Sequence, residues 1–228
     1  MPLFQQPFMS GGFPSMNRAV VAATEFTSMY ESFNPLTTVN KQHFVEWFSG
    51  NAIDSIWTTG GTGTPTFAMQ DVVDGGYKIT PNSSLDAGAI TFNDKRQYNY
   101  NASVCIAVTF KVSTGGRYRV GLGESADITL GTIDKSTAVD GVGTYIYLET
   151  ANGTSSNDTD STVSANTTTE HSHKIENKAS TVELTIDGTL EVTNSTELPL
   201  TKLQPVFLAR AGASSQESAI RYMECYNT

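Results

Sequence analysis

Val182-Glu183-Leu184-Thr185-Ile186-Asp187-Gly188-Thr189-Leu190-Glu191-Val192 is the stretch on which the fold turns. Val182, Leu184 and Ile186 alternate with Glu183 and Thr185, the period of two that marks a strand with one buried face. Asp187-Gly188 interrupts the alternation with two residues that tolerate the positive φ of a tight hairpin turn, and Thr189-Leu190-Glu191-Val192 resumes it. The stretch predicts a β-hairpin.

The same grammar extends outward in both directions. Downstream, residues 203–209 and 219–226 predict the last two strands. Upstream, strands are expected over 171–175, 145–149, 117–122, 104–112, 89–92, 77–80, 66–72 and 43–48, with a short one around Trp57. In the 104–112 run, Val104, Ile106, Val108, Phe110 and Val112 share one face, and Cys105, Ala107, Thr109 and Lys111 the other. Gly60-Gly61-Thr62-Gly63-Thr64 and Asp74-Gly75-Gly76 predict turns. Residues 150–169 are mostly Asn, Ser, Thr and Asp and predict a long loop holding at most a weak strand. Turns spaced this closely along the chain fit a sandwich or jelly roll.

Residues 1–40 break the pattern. Proline falls at 2, 7, 14 and 35, phenylalanine at 4, 8, 13, 26 and 33, and methionine at 1, 9, 16 and 29. Frequent proline opposes regular structure, while Phe and Met side chains require burial. The segment predicts an irregular arm, with a short helix over 17–30 capped by Asn17. Two roles fit: binding a neighbouring subunit, with Phe4, Phe8, Met9, Phe13 and Met16 as assembly contacts, or wrapping over its own domain. The expected organisation is an arm over 1–40 and an all-β antiparallel sandwich over 41–228.

The whole-chain numbers agree with an all-β domain. Apolar residues are 38 % and charged residues 16 % of the 228. Thr, Ser, Asn and Gly fill the difference, and these favour strands and turns. The formal net charge of −9, with no Lys/Arg cluster to offset it, disfavours nucleic acid as a partner. No stretch approaches the roughly 20 apolar residues of a membrane span. The first positive side chain is Arg18, and the apolar run Ala19-Val20-Val21-Ala22-Ala23 is cut by Thr24 and Glu25, so no secretory leader is expected. Cys105 and Cys225 both fall in predicted strands, and both buried free thiols and a single disulfide are compatible with that placement.

The C-terminal half resembles the concanavalin A-like lectin/glucanase fold, including its laminin-G-like modules. The residues that carry the likeness are His173-Lys174-Ile175-Glu176, the hairpin on Asp187-Gly188, Leu198-Pro199, Leu203-Gln204-Pro205-Val206 and Ala219-Ile220-Arg221-Tyr222-Met223. Phe48-Ser49-Gly50-Asn51 with Trp57 is similar to the way such modules open. The resemblance covers about 41–228 and implies a last strand paired with the first. It implies little about function, because the fold serves lectins, glycosidases, adhesion modules and virion proteins alike.

Glucanases of that fold set carboxylates on one strand face as E-x-D-x-E or E-x-D-x-x-E, one to attack and one to protonate the leaving oxygen. No such run occurs here: Glu46 stands alone, Glu149 has no carboxylate two residues away, and Asp187 sits in a turn. His171-x-His173 puts two imidazoles on one strand face but has no third ligand nearby in sequence. Asn157-Asp158-Thr159-Asp160 lacks the spacing of a calcium loop. No Ser/His/Asp set and no phosphate-cradling glycine loop is present. Catalytic residues, cofactors and metals are therefore not expected. Sequons at Asn82, Asn101, Asn152, Asn157, Asn166 and Asn194 accord with chance in an Asn/Thr-rich chain.

The expected function is non-enzymatic: a structural subunit of a particle, such as a virion decoration, head-fibre or tail-associated protein, anchored by the arm as a homo-oligomer or to other subunits. Its expected place is the surface of a virion or other extracellular particle. The alternative is a carbohydrate-binding adhesion module, with Arg119, Tyr145 and Tyr147 as the glycan contacts. Alternation sets these three opposite the apolar positions of their strands.

Overall fold

The computed structural model describes residues 42–49, 52–70, 75–84, 86–93, 95–111, 116–124, 135–142, 144–165, 168–211 and 216–228. The arm, its expected helix and the assembly contacts Phe4, Phe8, Met9, Phe13 and Met16 lie outside these residues, as do Val112, Asp74 and Asn166. The described residues form fifteen strands and no helix. They are β1 (His43–Trp47), β2 (Thr58–Thr62), β3 (Thr66–Met69), β4 (Tyr77–Thr80), β5 (Ala87–Thr91), β6 (Ser103–Lys111), β7 (Gly116–Gly123), β8 (Lys135–Val142), β9 (Tyr145–Asn152), β10 (Ser156–Ser164), β11 (His171–Asn177), β12 (Val182–Ile186), β13 (Thr189–Asn194), β14 (Gln204–Ala211) and β15 (Ser218–Asn227).

Two antiparallel sheets make the sandwich. The first runs β13-β12-β11-β6-β15-β4-β3, and β1 also pairs with β15; the second runs β10-β9-β8-β7-β14-β5-β2. The last strand pairs with the first from His43↔Tyr226 to Trp47↔Tyr222, as the resemblance implied. Asn227 ties off this corner: its side chain accepts from Asn99 N at 2.8 Å and donates to Gln97 O at 3.2 Å. The β12–β13 hairpin is as its sequence predicts, with Asp187 and Gly188 at φ 50° and 85°.

Alternation supplies the core between the sheets. Ile79, Ile90, Val120, Leu122, Ile146, Leu148, Leu184 and Phe207 are fully buried. Each such side chain contributes about 1.5–3 kcal/mol by leaving water. Trp57 closes one end of this core, edge-on to Phe92 at 4.7 Å and to Phe44 at 5.6 Å. On β6 the inward set is Cys105, Ala107, Thr109 and Lys111; the more apolar Ile106, Val108 and Phe110 face outward, half-buried. Arg221 covers Phe110, with its guanidinium carbon 4.9 Å from the ring centre. Cys105 and Cys225 are buried free thiols directly opposite one another across β6–β15. Thr228 N donates to Ala102 O three positions along, which places the cysteine pair at a non-hydrogen-bonded site, where facing side chains approach most closely.

Two expectations are corrected. Residues 150–169 are not a long loop: β9 runs on to Asn152, and β10 returns antiparallel over Ser156–Ser164. The turn between them centres on Gly153-Thr154, flanked by Asn152 and Ser155, with Gly153 at φ 95° and the Asn152 side chain accepting from Thr154 N and Ser155 N. A strand on a sheet edge needs no apolar alternation, and its threonines suit the pleat. Likewise Gly60, Gly61 and Thr62 are strand residues of β2 rather than a turn, and Trp57 stands just before that strand. A side chain at Gly61 would bring its Cβ within 2.2 Å of the Ala87 carbonyl oxygen, so glycine here permits the close pairing of β2 with β5.

Candidate functional site

β7, β8, β9 and β10 lie side by side in the second sheet. Their inward positions are filled by core side chains such as Tyr118, Val120, Val139, Ile146 and Leu148. Alternation then forces Arg117, Arg119, Asp140, Tyr145, Tyr147, Glu149, Asp158 and Asp160 onto the outward face. The register aligns them. Arg119 is opposite Asp140, Asp140 opposite Tyr147, and Tyr147 opposite Asp160, giving one row across four strands. One step along, Ala138, Glu149 and Asp158 form the next row. In the other direction the first row continues over Leu208, Ala89 and Gly60.

Arg119 is the centre of the site. Its Nη2 lies 2.9 Å from Asp140 Oδ2 and 2.5 Å from Glu149 Oε2. Ser136 Oγ donates to Glu149 Oε1 at 3.0 Å. The side chains of Arg119, Asp140 and Glu149 are only 15, 21 and 8 % exposed. Burial pushes the Glu149 carboxyl above its ordinary pKa, while Arg119 and the Ser136 hydroxyl pull the other way. Burial works against the Arg119 cation, but Glu149 and Asp140 outweigh it and raise its pKa. The guanidinium is thus clamped by two carboxylates.

Of the residues expected to touch glycan, Arg119 and Tyr147 fall in one row with Asp140 between them. Tyr145 lies on the same face, 40 % exposed, opposite Val142 and Ser164. The sequence reading missed the carboxylates that join them. Asp140, Glu149, Asp158 and Asp160 come from three strands, so no spacing within one strand reveals the group. The one local signal is Asp158-x-Asp160, which places two carboxylates on one face once β10 is a strand.

The other candidates resolve elsewhere. His173 points into the core, where Thr109 Oγ1 and Tyr118 Oη lie 2.9 and 3.1 Å from its Nε2. Burial, with the neighbouring His171 adding to it, lowers its pKa to about 3. His171 instead pairs with Asp187 at 2.7 Å. Among the described residues no three His, Cys, Asp or Glu side chains converge as a metal site, and no helix is long and apolar enough to cross a membrane. The Asn194 sequon is buried, with its amide donating to Thr150 at 2.7 Å.

No family model matches the chain, and no curated protein matches it by sequence. Solved structures do match. The carbohydrate recognition domain of Emp47p superposes with a TM-score of 0.57 at 11 % identity, over 81 % of this chain and 94 % of that one. The β-glucanase of Bacillus licheniformis gives 0.54 at 12 %, over 82 % and 98 %. A protein of unknown function from Shewanella oneidensis gives 0.61 at 12 %, over 88 % and 93 %. The fold is the concanavalin A-like jelly roll. It is shared by lectin domains and glucan-active enzymes, and at these identities the likeness speaks to architecture alone.

Proposed function

We propose that the sandwich is a carbohydrate-binding module whose recognition face is the outward side of β7–β10. The row Arg119–Asp140–Tyr147–Asp160, with Tyr145 beside it, carries the reading. A pyranose has an apolar face that stacks on an aromatic ring and a rim of hydroxyls that both donate and accept. Tyr145 and Tyr147 supply the rings, Asp140 and Asp160 accept, and the clamp on Arg119 fixes the geometry before the ligand arrives. That the same fold serves carbohydrate recognition in Emp47p supports this.

Binding without cleavage is the reading because hydrolysis needs one carboxyl free to give its proton and a second free to attack or activate water. Arg119 holds Asp140 and Glu149 together, and the other two carboxylates of the face, Asp158 and Asp160, lack the E-x-D-x-E or E-x-D-x-x-E run that sets an acid beside a nucleophile on one strand. The Phe- and Met-rich residues 1–40 add a second, compatible proposal: they anchor the module to a particle such as a virion.

A glycan array probed with the full chain tests the reading, followed by titration of each hit against Tyr145→Ala and Tyr147→Ala. Loss of at least tenfold in affinity, with the melting temperature unchanged, is expected for each. Binding that survives both substitutions, or an array without hits, overturns it. Release of reducing sugar from any bound glycan overturns the non-enzymatic part.

A further inference from the structure

Every arginine among the described residues has a carboxylate partner except two. Arg96 pairs with Glu124, Arg119 with Asp140 and Glu149, and Arg221 with Glu170. Arg117 and Arg210 have none, and they stand directly opposite each other across β7–β14. Their strand neighbours Tyr118 and Ala209 are core residues, so both arginines lie on the outward face that carries Arg119 and Tyr145.

This arrangement is unfavourable as it stands. Like charges placed opposite one another repel. The Arg210 Nε–H is buried and has no acceptor, and an unsatisfied buried donor is costly. In a chain of net charge −9, two cations left side by side invite an anion. A carboxylate or sulfate accepts from two guanidinium groups at once and screens the repulsion between them. Tyr145 stands on β9, two strands from Arg117, about 10 Å away at the usual strand spacing. That separation suits one sugar ring held on the tyrosine with its acidic substituent on the arginines.

Building on the proposed glycan face, we infer that its ligand is an acidic saccharide, and that Arg117 and Arg210 bind its anionic group. The carboxylates of Asp158 and Asp160 at the far side of the face repel that group, so the saccharide lies in one direction only.

The test uses the full chain and four kinds of probe: a uronate-containing oligosaccharide, a sulfated oligosaccharide, the same two backbones after carboxyl reduction or desulfation, and inorganic sulfate. At least one acidic oligosaccharide should bind tenfold or more tightly than its neutral form, and its affinity should fall with added salt. Arg117→Gln and Arg210→Gln should each lose at least tenfold on the acidic form, flatten the salt dependence, and leave the melting temperature unchanged or higher. The two oligosaccharides separate carboxylate from sulfate as the source of the anion. If the neutral forms bind equally well, or the arginine variants bind the acidic form normally while Tyr145→Ala does not, the acidic inference fails and the glycan face stands. If no saccharide binds, or inorganic sulfate alone does, both fail.

Discussion

Tyr118 and Arg119 are adjacent on β7 and point to opposite sides of one sheet. Tyr118 reaches inward to His173, and Arg119 reaches outward to Asp140 and Glu149. Both groups of side chains are polar, crowded and hydrogen-bonded. The inner one is neutral and sealed, because a buried imidazole cannot hold a proton there. The outer one keeps its charges, because solvent at the rim and a shared guanidinium sustain them. The inner group therefore serves only the fold, while the outer one remains available to a ligand.

Acid should break the inner group first, with the largest effect. The folded pKa of His173 is about 3, against an ordinary 6.5. Between these values the unfolded chain binds a proton that the folded chain refuses, so stability falls as pH drops from 6.5 towards 3. The full span corresponds to about 5 kcal/mol at roughly 1.36 kcal/mol per unit. Urea unfolding at pH 7 and at pH 4.5 should show more than half of that loss. His173→Gln keeps a hydrogen-bonding group at the site without a titrating one, and its stability should depend less on pH over this interval. An unchanged slope in that variant would remove His173 as the cause.

The outer group should respond in the opposite sense. Arg119→Leu leaves Glu149 and Asp140 without their shared cation. Removing one partner of a buried ion pair costs on the order of 3–5 kcal/mol, and these side chains are exposed enough to place the loss at the lower end, about 3 kcal/mol at pH 7. Glu149 already titrates above the ordinary carboxyl value, and without Arg119 its pKa rises further. A folded pKa above the unfolded one means that stability is regained as pH falls. The gap between wild type and Arg119→Leu should therefore narrow from pH 7 to pH 5, as measured by paired denaturant curves. A gap that is constant or widens would show that the clamp does not hold Glu149 ionised.

How much of this the sequence discloses depends on where the information lies. The β12–β13 hairpin is legible because Leu184 and Ile186 alternate with polar residues up to Asp187-Gly188. The β9–β10 hairpin turns on Gly153-Thr154, just after Asn152, yet β10 is Ser, Asn, Asp and Thr almost throughout and has no apolar period to flag it as a strand. Arg119 and Tyr147 are legible as outward residues, since each alternates with buried neighbours. Their connection through Asp140 is not, because it depends on the order of strands in the sheet. The opposition of Arg117 and Arg210 depends on that order too, for they lie far apart in sequence. On β6 the period is legible but its direction is not. Ile106, Val108 and Phe110 look like the core face, but the register with β11 and β15 turns Cys105, Ala107 and Thr109 inward instead.

The smallest effect gives the sharpest form of the comparison, because one atom can be removed on each side of the sheet. Tyr118→Phe deletes the hydroxyl 3.1 Å from His173 Nε2 and leaves that nitrogen with Thr109 alone. A buried hydrogen bond of this kind is worth about 1 kcal/mol. Tyr147→Phe deletes a hydroxyl on the outward face, where stability should change by less than about 0.5 kcal/mol. If the outer face binds saccharide, ligand affinity should rank the two variants in reverse: unchanged in Tyr118→Phe and reduced in Tyr147→Phe, whose hydroxyl is positioned to bond a sugar. Chemical denaturation and a binding titration on the same two proteins read both orders. Equal stability losses would mean that the two faces are not specialised as their chemistry implies. Equal affinities would mean that Tyr147 contributes its ring alone.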